Sequence, residues 1–97
     1  MNEFKVGGFA VSTAGHDSGK CYVIFKLDHE YVYLVDGKIR TLNNMKKKKL
    51  KHIRMLEESD QTLIDKVANT TVKDEEIKRA IKLLKQINAV ERGEILL

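Results

Sequence analysis

Residues 6–26 contain two short apolar runs joined by a loop with two glycines. In residues 8–13, larger apolar or β-branched residues alternate with small ones, which is the two-residue period of a strand with one buried face. The connecting segment, residues 14–20, is called the glycine loop below. Gly15 and Gly19 can adopt positive φ without a Cβ clash. We therefore predict a strand, a tight turn whose backbone can approach a ligand closely, and a second strand.

A second strand pair is predicted around Asp36-Gly37. Residues 31–35 are β-branched, aromatic or leucine, and residues 38–42 alternate again. Asp-Gly between two such runs is typical of a type I′ hairpin turn, which needs positive φ at both central positions. With a closing strand predicted at residues 50–56, there are about five short strands, a number that favours a small closed barrel over an open sheet.

The remainder of the chain has a helical pattern. Residues 59–62 offer a capping start for a short helix, and a stripe with three-to-four spacing then runs from Ile77 to Ile87, before a predicted stop at Gly93. This stripe can pack on the barrel or on a partner protein. The predicted fold class is mainly β with α: a small SH3-like barrel over residues 1–56, and a C-terminal helical extension over residues 57–97.

The charge is unevenly distributed. Residues 1–56 hold eleven Lys or Arg against five Asp or Glu, whereas residues 57–97 hold seven against nine. A basic half joined to a mildly acidic half indicates a polyanion contact made by the first half. The densest basic run, Lys46–Lys49, can be a solvated loop or a phosphate-binding segment. The second interpretation is favoured because a small barrel would gather other cations beside it.

Other features argue against several classes of protein. The longest apolar run, residues 21–25, is too short to span a bilayer, and no apolar stretch follows the first residues as a signal peptide would need. The single cysteine, Cys21, cannot form an intrachain disulfide and fits a reducing compartment. His16, His29 and His52 lack metal-ligand spacing, and no nucleophile–histidine–acid order is present. We expect a cytoplasmic non-enzyme that uses no cofactor, metal or membrane.

The order of these residues resembles the KOW motif, a strand–loop–strand unit of small RNA-binding barrels. Asp-x-Gly-Lys at residues 17–20, followed by Leu-Val-Asp-Gly at residues 34–37, is most similar to the eukaryotic and archaeal large-subunit ribosomal protein family numbered fourteen. It is also similar to small bacterial RNA-binding proteins with that domain. The resemblance covers about residues 4–56 and does not extend into the tail. It implies RNA binding, with Gly15, Gly19 and Lys20 in the motif.

We therefore expect an RNA-binding protein that binds ribosomal RNA or is associated with the ribosome. It should recognise the shape and backbone of the RNA, because A-form grooves expose few base edges. Ribosomal proteins are further candidate partners. The predicted RNA-binding residues are Gly15, His16, Gly19, Lys20, Lys38, Arg40, Lys46, Lys47, Lys48, Lys49, Lys51 and Arg54. Tyr22, Tyr31 and Tyr33 are expected in the core rather than stacked on bases. The alternative is a protein-interaction adaptor that docks through its barrel or C-terminal helix, and the chain is expected to be a monomer or a weak dimer through that helix.

Overall fold

The computed structural model describes residues 4–91, and the side chains of residues 4–89. Its strands form one antiparallel sheet and are β1 (Phe9–Ser12), β2 (Cys21–Leu27), β3 (Tyr31–Val35), β4 (Lys46–Lys49) and β5 (Ile53–Met55). They lie in the order β4-β3-β2-β1-β5. A 3₁₀ turn, Leu50–His52, joins β4 to β5, and two helices follow, α1 (Gln61–Ala68) and α2 (Asp74–Glu91). Five strands followed by a helical extension are confirmed, but the fourth strand is Lys46–Lys49 rather than the predicted residues 38–42.

The sheet is not closed. The last strand returns to pair with the first, so that Ala10 lies opposite Met55 and Ser12 opposite Ile53. The two edges are β4 and β5, and in the described part of the chain no ladder joins them. The prediction of a closed barrel is therefore wrong. These edge strands are only four and three residues long, and the 3₁₀ turn between them takes up residues that were predicted to extend the closing strand.

The hairpin predicted across Asp36-Gly37 does not form. β3 pairs with β2 and β4 instead, with Tyr31 opposite Lys49. The lysine run is therefore a strand, and residues 36–45 form a long loop, called the β3–β4 loop below. The sequence did not indicate this pairing, because the strand that pairs with β3 is a run of four lysines, a residue type with low β-propensity.

A buried carboxylate shapes the β3–β4 loop. The Oδ1 atom of Asp36 accepts hydrogen bonds from the backbone N–H groups of Lys38 and Arg40, both at 2.9 Å. Farther along, the N–H of Leu42 donates to Oδ1 of Asp74 at 2.8 Å. Backbone N–H groups that a hairpin would pair with β3 therefore donate to side chains instead. The bond to Asp74 also ties the loop to the first turn of α2.

The sheet and both helices share one apolar core. Asp60 caps α1 by accepting from the N–H of Leu63, as the capping signal predicted. One buried cluster joins the sheet to the helices through Phe9, Cys21, Val23, Val35, Leu63, Val67, Val72, Ile77, Ala80, Ile81 and Leu84. The stripe on α2 is thus mostly covered by its own sheet, although Ile87 stays half exposed. Gly93 lies outside the described residues.

The strands also contribute to a second buried cluster. It is formed by Ala10, Tyr22, Ile24, Val32, Leu34 and Ile53. Because β1, β2 and β3 bury residues in both clusters, the middle of the sheet is apolar on both faces, which is why residues 21–25 lack polar alternation. Neither described helix is long and apolar enough to cross a bilayer.

Candidate nucleic-acid interface

The glycine loop is held in place by the carboxylate of Asp17. Its Oδ1 atom accepts from the Ser12 hydroxyl at 2.9 Å, and its Oδ2 atom accepts from the Tyr22 hydroxyl at 2.8 Å. The ammonium of Lys48, on β4, lies 2.5 Å from Oδ1 and also donates to the Ala14 carbonyl at 2.7 Å. The loop is thereby joined to the edge of the sheet through Asp17.

The ionised form of Asp17 is strongly favoured. Burial opposes its charge, but hydrogen bonds from Lys48, Tyr22 and Ser12 outweigh burial and hold the pKa of Asp17 well below its usual value. Burial, together with the bond to this carboxylate, raises the pKa of Tyr22 far above its usual value. The side chain of Lys48 is only 11% exposed. It is therefore a structural partner of the loop rather than a cation offered to a ligand.

The tip of the glycine loop is exposed. Gly15 and Gly19 have φ angles of 86° and 87°, so the left-handed backbone predicted for them is present. The N–H groups of residues 18–20 already donate to carbonyl groups of Ser12, Gly15 and Asp17. A ligand at this loop would consequently meet the tip, where the His16 side chain is exposed.

The basic segment of residues 46–54 borders the glycine loop. Besides the Lys48 contact, the N–H of Thr13 donates to the carbonyl of His52 at 2.8 Å, next to the 3₁₀ turn. The basic segment is thus joined to the glycine loop at Lys48 and to the residue before that loop at His52. The exposed cations of this segment are Lys47, Lys49, Lys51 and Arg54.

The other predicted cations differ in their surroundings. Lys46 is half-buried, with its ammonium 3.8 Å from Oδ2 of Asp17. Lys20 forms an ion pair of 2.9 Å with the buried Asp36. Burial opposes the charge of Asp36, but the hydrogen bonds from Lys20 and two loop amides lower its pKa. In the β3–β4 loop Lys38 is exposed and Arg40 half-buried.

Tyrosines occupy two different settings. Tyr22 is buried at 1% exposure, as predicted. Tyr31 and Tyr33 are half-buried and belong to neither core cluster, so their predicted core position is wrong. The ammonium of Lys47 lies 4.3 Å from the ring centroid of Tyr31, and that of Lys26 lies 5.4 Å from Tyr33. Lysines therefore cover these rings on the outer face of the sheet, where cation–π attraction stabilises cross-strand pairs.

A basic groove between the β3–β4 loop and α2 was not predicted. It has a volume of about 610 Å³ and is lined by five lysines, which are Lys20, Lys38, Lys78, Lys82 and Lys85. The three on α2 follow an i, i+4, i+7 spacing and so lie on one helix face. The sequence contains this lysine spacing, but the net negative charge of residues 57–97 directed the prediction of cationic binding residues to the first half of the chain. No protein-family model and no curated protein sequence matches this chain significantly.

Proposed function

We propose that this protein binds structured RNA in the cytoplasm, with ribosomal RNA as the main candidate, either as a ribosomal protein or as a ribosome-associated factor. The observation that carries this proposal is the placement of residues 46–54 against the glycine loop. The Lys48–Ala14 bond and the Thr13–His52 bond attach this segment, which carries four exposed cations, to the loop and to the residue before it. Such a surface suits a polyanion whose backbone is contacted by lysines and arginine, while the loop tip fits against its contour.

The finer fold assignment, an SH3-like barrel, belongs to the same proposal. It is supported by the four-strand meander, by the return of β5 to β1, and by the second buried cluster, all of whose buried members lie on strands. We regard the fold as such a barrel left open between β4 and β5. An open edge places the lysine run at the rim of the sheet rather than within a closed wall.

The chemistry of the contact is electrostatic. Each ammonium or guanidinium that neutralises a phosphate releases counterions, so affinity should fall steeply as salt rises. Phosphate contacts position the protein without reading sequence. We therefore expect discrimination between folded and unfolded RNA to exceed discrimination between sequences of the same shape.

The test is a binding titration with ribosomal RNA across a salt series. The variant K47A/K49A/K51A removes three exposed cations of the basic segment, and K5A/K73A/R79A removes three exposed positive charges elsewhere. Lys46 and Lys48 are left intact because they contact Asp17. We expect the first variant alone to lower the slope of log affinity against log salt by about 2. Absence of binding at low salt, or equal effects of the two variants, would contradict the proposal.

A second candidate function is docking on a protein. Leu83 and Ile87, four residues apart on α2, are 50% and 53% exposed, and together they line a shallow apolar surface at the border of the shared core. The variant L83S/I87S should abolish binding to a protein partner while leaving RNA affinity unchanged. If this variant instead reduces RNA affinity as strongly as the lysine variant, α2 rather than the loop region carries the RNA contact.

A further inference from the structure

We infer that the basic groove between the β3–β4 loop and α2 binds an unpaired segment of RNA, an inference that rests on the proposed function and names a second part of the RNA that is recognised. The groove joins residues from both halves of the chain. Lys20 and Lys38 come from the basic half, and Lys78, Lys82 and Lys85 from the half whose net charge is negative.

The charges in the groove are unbalanced. One carboxylate, Asp36, lines it, and that group is already paired with Lys20. Among the described side chains, Lys38 and the three lysines of α2 take part in none of the ion pairs. Like charges gathered around one concavity repel each other and raise the local potential, so a polyanion bound there would be attracted by all of them.

The residues that line the groove favour a single RNA strand over a duplex. Lysines line it, and apolar atoms are supplied by Ile81 and by Ile39, which is 70% exposed. A duplex hides its base faces within the stack and offers mainly phosphates and groove edges. An unpaired strand offers both components, because its phosphates can follow the lysines while a base covers the isoleucine side chains.

The groove also lies next to the proposed RNA surface. Lys20 ends the glycine loop, and its ammonium bonds to Asp36 at the start of the β3–β4 loop. The lysines of α2, from Lys78 to Lys85, extend about 10 Å along the helix at 1.5 Å per residue. A folded RNA resting on the glycine loop could therefore continue into the groove as an unpaired strand.

The experiment compares two RNA probes with a pair of charge-matched variants. The probes are a short fluorescent oligouridylate, which stays unpaired, and a blunt-ended RNA hairpin. K78A/K82A/K85A removes the three lysines of α2 from the groove, and K5A/K73A/R79A removes three positive charges outside it. Alanine is a strong helix former, so α2 should persist, and thermal melting would verify this.

The groove variant is expected to bind oligouridylate at least tenfold more weakly, with a salt slope lower by about 2. The control variant should lose much less, and the hairpin should be affected less than oligouridylate by the groove variant. I39S should weaken oligouridylate binding severalfold without changing the salt slope, because it removes an apolar contact and no charge.

Three outcomes would overturn this inference. Equal losses in the two triple variants would mean that only net charge matters. Displacement of oligouridylate by polyglutamate at comparable charge concentration would assign the groove to an acidic protein. Hairpin binding that requires Lys47, Lys49 and Lys51, with no oligouridylate binding, would exclude the groove as an RNA site and leave the proposed function standing. Wild-type protein that binds neither probe nor ribosomal RNA would overturn the proposed function as well.

Discussion

The ammonium of Lys48 and the carboxylate of Asp17 lie 2.5 Å apart, although 31 residues separate them in the chain. Both side chains are nearly buried. The lysine belongs to the basic run that predicts a nucleic-acid contact, and the aspartate to the loop that carries the KOW resemblance. Their pairing means that one cation of the run maintains the shape of the loop, while the next residue, Lys49, is exposed.

Replacing Lys48 should therefore affect stability more than replacing Lys49. K48M leaves the Asp17 carboxylate without its main partner, and we expect a loss of about 2–3 kcal/mol in the free energy of unfolding. K49M, an exposed change on the same strand, should stay within about 0.5 kcal/mol of wild type. Urea unfolding measures both, and equal stabilities would show that the pair contributes nothing.

Acid should unfold the protein partly through Asp17 and Asp36. The pKa of each is lowered in the folded state, so the unfolded state binds protons first as pH falls below about 4. The stabilisation from these carboxylates is complete above that pH and is lost progressively below it. D17N should flatten the stability–pH curve in this range, whereas E30Q, an exposed change, should reproduce the wild-type slope.

Gly37 and Gly19 should respond differently to alanine although both have positive φ. A Cβ atom on Gly37 would lie 2.3 Å from the carbonyl oxygen of Asp74 and 2.8 Å from the backbone nitrogen of Lys78. A Cβ atom on Gly19 would meet nothing within 4 Å. G19A should cost about 1 kcal/mol from backbone strain alone. G37A should cost at least about 2 kcal/mol more because the β3–β4 loop must move away from α2. Equal losses of stability in the two variants would show that the loop does not lie this close to α2.

The thiol of Cys21 should be inert in the folded protein. Burial raises its pKa to about 11, and the side chain is almost fully covered. Since the thiolate is the reactive form, alkylation by iodoacetamide near pH 8 should be at least about a hundredfold slower than for the thiol introduced by I39C in a Cys21→Ser background. Denaturant should remove the difference, and rapid labelling of the native wild type would contradict the burial of β2.

Local patterns predicted some elements well. The alternation before the glycine loop, the positive φ of Gly15 and Gly19, and the capping role of Asp60 depend on interactions between residues close in sequence, and all are present. The Asp36-Gly37 turn signal failed because its outcome depends on a distant strand. The carboxylate of Asp36 binds the N–H groups of Lys38 and Arg40 within the loop, and a lysine strand takes the place beside β3.

Local sequence patterns were enough to predict about five strands, a helical tail, and positive φ at Gly15 and Gly19, although the fourth strand lies elsewhere. These follow from steric limits and from two- and 3.6-residue periodicities, which act over a few residues. Tertiary structure alone decided which lysines are exposed and which charges share a surface. Lys48 contacts Asp17 of a loop 31 residues away, and Lys78 lines a groove together with Lys20. Electrostatic interactions depend on distance in space rather than on order in the chain, and only packing sets those distances.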